Sequence, residues 1–271
     1  MQASAPGRFV RDGVALVGCR DAASTGVTFA FSERTGGVSP APCASLNMGG
    51  STPDSQANVA ENRRRVMAAL DAEYLAGRIV RPHQVHGDEV ALVTDASEPV
   101  PAWVGEGCDG VVCTAPDVPV MLVFADCVPV VLACRGGFAV VHSGWRGTYA
   151  EISLKAARML MDATGRGAEE LVAYIGPHIS APAYEVSREL AERFAGRFGP
   201  AAVPTERHLD LSACIRASLA RAGMGEGQVS DCGLCTATLT DRFYSYRAEH
   251  GLTGRHCAVA FMRPPTPHEG S

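Results

Sequence analysis

Three apolar runs of strand length, 118–124, 128–134 and 137–142, follow one another in the middle of the chain. They are broken only by Ala125-Asp126-Cys127 and by the turn signal Arg135-Gly136-Gly137. Further runs predict strands at 27–31, 78–83, 89–93, 170–175 and 256–262. Helical periodicity covers 54–71, after Ser51-Thr52-Pro53, with Val59, Val66 and Leu70 facing inward. Its polar face carries Asn58, Asn62 and Arg63 to Arg65. A second helix is expected over 147–164, with Ile152, Leu154, Ala157, Leu160 and Met161 as its buried stripe, and others over 187–198 and 210–222. Helices and strands mix without strict βαβ alternation. The expectation is therefore an α+β fold: one domain over 1–262, mixed or antiparallel sheets layered with helices, and a disordered tail over 263–271.

The middle runs carry chemistry as well as core. If 128–134 and 137–142 form a hairpin with a two-residue turn near Gly136, opposed residues have positions summing to an odd number. Cys127 and His142 then share a face, one or two ladder steps from direct opposition. A one-step offset is a diagonal of about 7 Å, which an ion with bonds of roughly 2.0–2.3 Å can bridge. Strands that stop for Asp126-Cys127 and end on His142-Ser143-Gly144-Trp145-Arg146-Gly147 mark a metal or nucleophile centre.

Bulk composition narrows the rest. An apolar content of 46% and a charged content of 20% over 271 residues describe an ordinary globular protein. The net charge of −5 leaves no basic footprint for nucleic acid. There is no export-signal core near the N-terminus, and the longest apolar region is broken by Asp126 and two prolines, so neither secretion nor a membrane span is expected. A cytoplasmic setting follows, with the ten cysteines reduced and mostly buried. The oligomeric state stays open, and a monomer is compatible with the pattern.

Other features are weaker. His83 and His86 lie in Pro82-His83-Gln84-Val85-His86-Gly87, and an extended segment would point them to opposite faces, so at most one belongs to a given site. Gly144 to Thr148 reads either as an anion site at a helix entry, with Arg146, or as a Gly-shaped entry with Arg146 in an ion pair. Cys232-Gly-Leu-Cys235 has no second pair to complete a zinc ribbon. No Walker A loop and no Gly-x-Gly-x-x-Gly is present.

Taken together, several segments resemble the YfiH-like family, known as multicopper polyphenol oxidase or laccase domains and as zinc-dependent purine nucleoside phosphorylases. They are Ser45-Leu46-Asn47, Glu61-Asn62-Arg63, Gln84-Val85-His86-Gly87, Ala125-Asp126-Cys127-x-Pro129 and His142-Ser143-Gly144-Trp145-Arg146-Gly147, followed by Ile175-Gly176-Pro177, Tyr184-Glu185-Val186, Cys235-Thr236, Ser245-Tyr246-Arg247 and Thr253-Gly254-Arg255. The family commonly has Ala where Ser143 stands and Cys where Ala183 stands. The resemblance implies a CNF/YfiH-like, cysteine-hydrolase-type fold and a zinc ion on His86, Cys127 and His142, with copper as the alternative ion.

Two nitrogens and one thiolate leave a tetrahedral zinc one open corner, the catalytic pattern rather than the closed structural one. The implied activities are phosphorolysis of adenosine, inosine, guanosine or methylthioadenosine and deamination of adenosine. Cys127, His142 and Asp126 are the expected catalytic residues, with Asp126 or Glu185 as the proton-transferring carboxylate. Arg63 and Arg146 are expected to hold phosphate, and Asn47 to contact ribose or base. The competing readings are an amide or ester hydrolase with Cys127 as nucleophile and His142 as base, editing peptidoglycan precursors; a copper-loaded polyphenol oxidase; and a non-enzymatic protein whose metal ties strands together.

Overall fold

The computed structural model describes residues 1–95 and 107–263. In chain order the strands and helices are β1 (Gly7–Arg11), β2 (Val14–Cys19), β3 (Val27–Ser32), α1 (Gln56–Ala69), β4 (Val90–Val93), β5 (Gly110–Cys113), β6 (Val120–Phe124), β7 (Val128–Cys134), β8 (Gly137–Ser143), α2 (Trp145–Tyr149), α3 (Ile152–Thr164), β9 (Val172–Ile175), α4 (Arg188–Phe198), α5 (Leu211–Arg221), β10 (Val229–Asp231) and β11 (His256–Met262). One sheet has the order β1-β2-β3-β11-β6 and is antiparallel throughout. The other, β10-β9-β7-β8-β5-β4, is mixed, with parallel pairs at its two edges.

Alternation along the strands explains how the layers stack. Val131 and Ala133 of β7 and Phe138 and Val140 of β8 pack with Phe29, Phe31, Leu122, Phe124 and Ala258 of the facing sheet. The intervening residues, Val130, Leu132, Ala139 and Val141, turn the other way onto Ala156, Leu160, Phe194 and Ile215 of the helices. Helix α1 covers the outer face of the antiparallel sheet through Val66 and Met67. The result is the α+β fold expected, with two sheets face to face and helices outside.

The functional corner is where β6 leaves one sheet and β7 enters the other. Asp126 makes the bend with φ +88, a left-handed conformation that a strand residue rarely adopts. Side chains at 127 and 142 fall on the inter-sheet side by parity, beside this bend.

Several expectations need correction. Residues 78–83 do not form a strand; a 3-10 turn fills Glu73–Arg78, and only Val80 bridges Val120. The helix foreseen over 147–164 is two helices, because Glu151 adopts φ +60 between them. Its carboxylate receives Arg197 (2.7 Å) and Arg221 (2.6 Å), which hold the break in place. Leu154 and Met161 are only partly buried, and Ala156 joins the core instead. Strands β1, β2, β5 and β10 add to those the apolar runs predict. Helix α1 starts two residues late, capped by Ser55, whose hydroxyl accepts the Asn58 N–H (3.1 Å). The tail foreseen over 263–271 lies, apart from Arg263, outside the described residues; Arg263 donates to the Leu70 carbonyl (3.0 Å). Among the described residues no helix is long and apolar enough to cross a membrane.

Candidate metal centre

The β7–β8 hairpin has the foreseen register: Pro129 lies opposite His142, so Cys127 sits one ladder step beyond. His86 arrives from a loop. The Gln84 side chain fastens that loop to β6, donating to the Val123 carbonyl (2.8 Å) and accepting its N–H (2.9 Å). At His86 the backbone turns to φ +59, and the imidazole swings beside the His142 ring, edge-on, with centroids 4.8 Å apart. The ligand atoms of His86, Cys127 and His142 all lie within 4.8 Å of one another. His83 takes no part in this group.

Space for an ion is kept by a glycine. A Cβ added at Gly144 would lie 3.2 Å from the Cys127 sulfur, 3.4 Å from His86 Cδ2 and 3.9 Å from His142 Cε1. The donor set, two imidazole nitrogens and one sulfur, suits zinc or copper. Ligands on a tetrahedral zinc are separated by about 3–4 Å, so small adjustments of the two rings close the site. Among the described residues no fourth His, Cys, Asp or Glu joins the group.

A carboxylate missing from the sequence reading stands behind the ligands. Asp109, fully buried, accepts from His142 Nδ1 (2.7 Å) and from the backbone N–H groups of Val85 (3.1 Å), His86 (3.0 Å) and Gly87 (2.7 Å). Burial pushes its carboxyl pKa up, but these hydrogen bonds and the His142 charge outweigh it and hold it below the usual carboxylate value. Burial likewise disfavours the Cys127 thiolate, yet the facing His142 and His86 rings bring the thiol down to about 6. His142 moves in the opposite sense, raised by Cys127 and Asp109 against its own burial. The centre is thus arranged to hold sulfur as thiolate, the form that binds metal or attacks carbon.

The remaining expected residues fall into two groups. Asp126 has both oxygens engaged: Oδ1 accepts the Thr236 hydroxyl and Oδ2 the Arg247 N–H, each at 2.7 Å, so it ties the 236–247 loop to the β6–β7 bend. Asn47 is fully buried; its amide donates to Gly49, Thr52 and Asp54 and accepts from the Gly49 and Arg255 N–H groups. Glu185 is exposed and paired with Arg207 (3.1 Å). Arg146 forms no ion pair with any described residue; it lies exposed over the Trp145 ring at 4.6 Å, on a helix of only five residues. Arg63 donates to the Met48 carbonyl (2.8 Å), while its buried Nε has no partner among the described residues. Burial, with Arg81 nearby, lowers its pKa to about 10.

Residues that sequence reasoning used only for likeness also face this corner. Tyr184 lies under the Arg247 guanidinium (5.5 Å), and burial together with the Cys127 charge lifts its phenol to about 12. Arg255 is held by the Thr253 and Gly254 carbonyls (2.9 and 2.8 Å), near enough to Cys127 and Asp126 for their charges to counter its burial. All ten cysteines are free thiols, Cys232 and Cys235 included.

Comparison with known proteins places the chain in a family. A purine nucleoside phosphorylase of Deinococcus radiodurans is 38% identical over 238 residues, covering 86% of this chain and 88% of the relative. Purine nucleoside phosphorylase YfiH of Escherichia coli K12 is 33% identical over 242 residues, 88% of this chain and 94% of the relative. The crystal structure of YlmD from Geobacillus stearothermophilus superposes with a TM-score of 0.84 at 27% identity, covering 96% of this chain and 99% of that one. The family model described as multi-copper polyphenol oxidoreductase laccase matches residues 28–263, and the chain belongs to that YfiH-like family.

Proposed function

We propose that this chain is a zinc-dependent purine nucleoside phosphorylase. It splits adenosine, inosine, guanosine or methylthioadenosine into base and sugar 1-phosphate, and it also deaminates adenosine. One observation carries the reading: His86, Cys127 and His142 converge with no fourth protein ligand among the described residues, the arrangement of a catalytic rather than a structural zinc. The names of the relatives at 33% and 38% identity support the substrate class.

When bound, zinc supplies a Lewis acid that polarises a substrate oxygen or ring nitrogen and acidifies water. The chain's own groups do the rest. His86, Cys127 and His142 hold the ion, and the Cys127 thiolate lowers its net charge to about +1. Phosphorolysis forms a bond from a phosphate oxygen to C1′ of the sugar and breaks the glycosidic C–N bond; the base leaves with the electron pair and takes up a proton. Arg63, whose Nε has no partner among the described residues, and Arg146, which has no carboxylate partner among them, are the groups assigned to phosphate. Asn47 acts from within, shaping the 47–54 loop against Arg255. Asp126 holds the Tyr246–Arg247 segment over the corner.

A second reading has its own support. Cys127, His142 and Asp109 line up as nucleophile, base and orienting carboxylate, which a thiol hydrolase would use without metal. Metal dependence separates the two. Stripping zinc with dipicolinate should abolish phosphate-dependent release of adenine from adenosine, and added zinc should restore it. Adenine and inosine should be followed separately. Full phosphorolysis by the metal-free protein would remove zinc from the reading, whereas amide or ester hydrolysis by the metal-free protein, lost only on thiol alkylation, would replace the phosphorylase reading by the hydrolase. Phenol oxidation arising only after copper loading would mark the oxidase activity as adventitious.

A further inference from the structure

We propose that Asp109 is the positioning residue of the centre: one carboxylate both orients the His142 ring and pins the His86 loop, presetting two imidazoles for a metal. The inference rests on the metal reading above. The carboxylate is saturated. Oδ1 accepts from His142 Nδ1 (2.7 Å) and the His86 N–H (3.0 Å), and Oδ2 from the N–H groups of Val85 (3.1 Å) and Gly87 (2.7 Å). An ionised carboxylate offers about four acceptor sites and no donor. All four are filled, and the His142 Nδ1 must be the partner that carries the hydrogen. Its other nitrogen, Nε2, is then the one that would ligate an ion, giving up any proton it carries when the ion binds.

The loop side of the clamp is as specific. In an extended segment successive N–H groups point in opposite directions. Here those of Val85, His86 and Gly87 reach one carboxylate, and the chain does this by taking His86 to φ +59, a conformation L-residues disfavour by about 1–2 kcal/mol. The same curl carries the His86 imidazole to the His142 ring. The backbone closes the circle, since the Asp109 carbonyl accepts the His142 N–H (2.6 Å). Two ligands separated by 56 positions in sequence are thereby placed by one residue belonging to neither. An amide in its place would keep one acceptor oxygen and aim an N–H₂ at the loop's own donors.

The test uses the full-length protein with zinc as probe. Asp109→Asn and Asp109→Ala should weaken zinc binding about 10- to 100-fold, the usual loss for a residue behind a metal ligand, read by chelator competition. Amide exchange at Val85, His86 and Gly87 should quicken. A control, Val17→Ala, which opens the buried core of the other sheet, should lower the melting temperature while leaving zinc affinity and those amides unchanged. Asp109→Asn within twofold of wild type, or a loss matched by Val17→Ala, overturns the proposal. Should neither Asp109 variant fold, nitrogen-15 NMR of the wild type decides it. The His142 Nδ1 proton should be present, at low field and slow to exchange, with or without zinc. A ring protonated only at Nε2 overturns it. Wild-type protein that binds no zinc would sink the phosphorylase reading instead, while the Nδ1 proton and the loop amides would still report on Asp109.

Discussion

Pro129 and His142 face each other across the β7–β8 ladder, and that one pairing sets the chemistry of the corner. Because opposed residues alternate between faces, a shift of a single residue would turn His142 toward the helices and away from Cys127. The hairpin is long, seven residues on each side, and its buried faces lock the register from both directions. Core packing of Val131, Ala133, Phe138 and Val140 therefore also fixes the sulfur and the imidazole relative to each other.

Gly144 offers a direct probe of the space between the ligands. Its backbone, φ −71 and ψ 172, suits any residue, so alanine introduces no backbone strain. The added methyl, however, meets the Cys127 sulfur at 3.2 Å and the His86 ring at 3.4 Å. Gly144→Ala should leave the melting temperature of metal-free protein within a degree or so of wild type, while zinc affinity falls on the order of tenfold, about 1.4 kcal/mol. Competition against a calibrated chelator measures it. Unchanged affinity would mean the ion does not sit among these three side chains.

How much of this was legible in the sequence differs by residue. Parity places Cys127 and His142 on one face, one or two ladder steps from direct opposition, and the two-residue turn at Arg135-Gly136 settles the offset at one step. His86 needed the family likeness, because an extended loop gives no reason to prefer it over His83. Asp109 left no trace: it lies 33 positions from His142 and meets the His86 loop through backbone N–H groups, which any residue type carries. The helix break at Glu151 was hidden for a related reason, as the apolar period runs on while two distant arginines hold the bend. The β1–β2 hairpin carries a local signal that its strands mask. Asp12-Gly13, with φ +50 and +79, is a standard hairpin turn pair, but the exposed, polar β1 conceals the alternation.

His256 predicts an acid sensitivity. The ring is fully buried, stacked on Phe124 with centroids 6.2 Å apart, and among the described residues neither nitrogen makes a well-formed hydrogen bond, the Pro177 backbone giving only weak support. Burial lowers its pKa to about 3. The unfolded chain takes up this proton near pH ~6.5. Between those values the unfolded state binds more protons than the folded one, so this contribution to stability declines as pH falls, by about 1.4 kcal/mol per pH unit at most. Urea midpoints at pH 7.5 and 4.5 should drop further in wild type than in His256→Leu. Near neutrality the variant should lie within about 1–2 kcal/mol of wild type, because both unpaired nitrogens leave together. Equal losses on acidification in the two proteins would show that His256 is charged in the folded state.

Asn47 separates a substrate contact from an organiser of the site. A side chain that binds ribose or base would raise KM when truncated and leave the fold alone. Here every polar atom of the amide is already engaged: Nδ2 reaches the Thr52 hydroxyl (2.7 Å) and the Asp54 carboxylate (2.9 Å), and Oδ1 takes the N–H groups of Gly49 (3.0 Å) and Arg255 (2.9 Å). Asn47→Ala strands these buried partners, at a cost of about 1–3 kcal/mol for an unsatisfied group. It also frees the backbone of Arg255, whose guanidinium lies near Cys127. The variant should melt several degrees below wild type, and kcat should fall along with any rise in KM. Zinc affinity should change little, since Asn47 touches none of the three ligands or Asp109. A raised KM with an unaltered melting temperature and kcat would instead make Asn47 a direct contact, and would require the 47–54 loop to open when substrate binds.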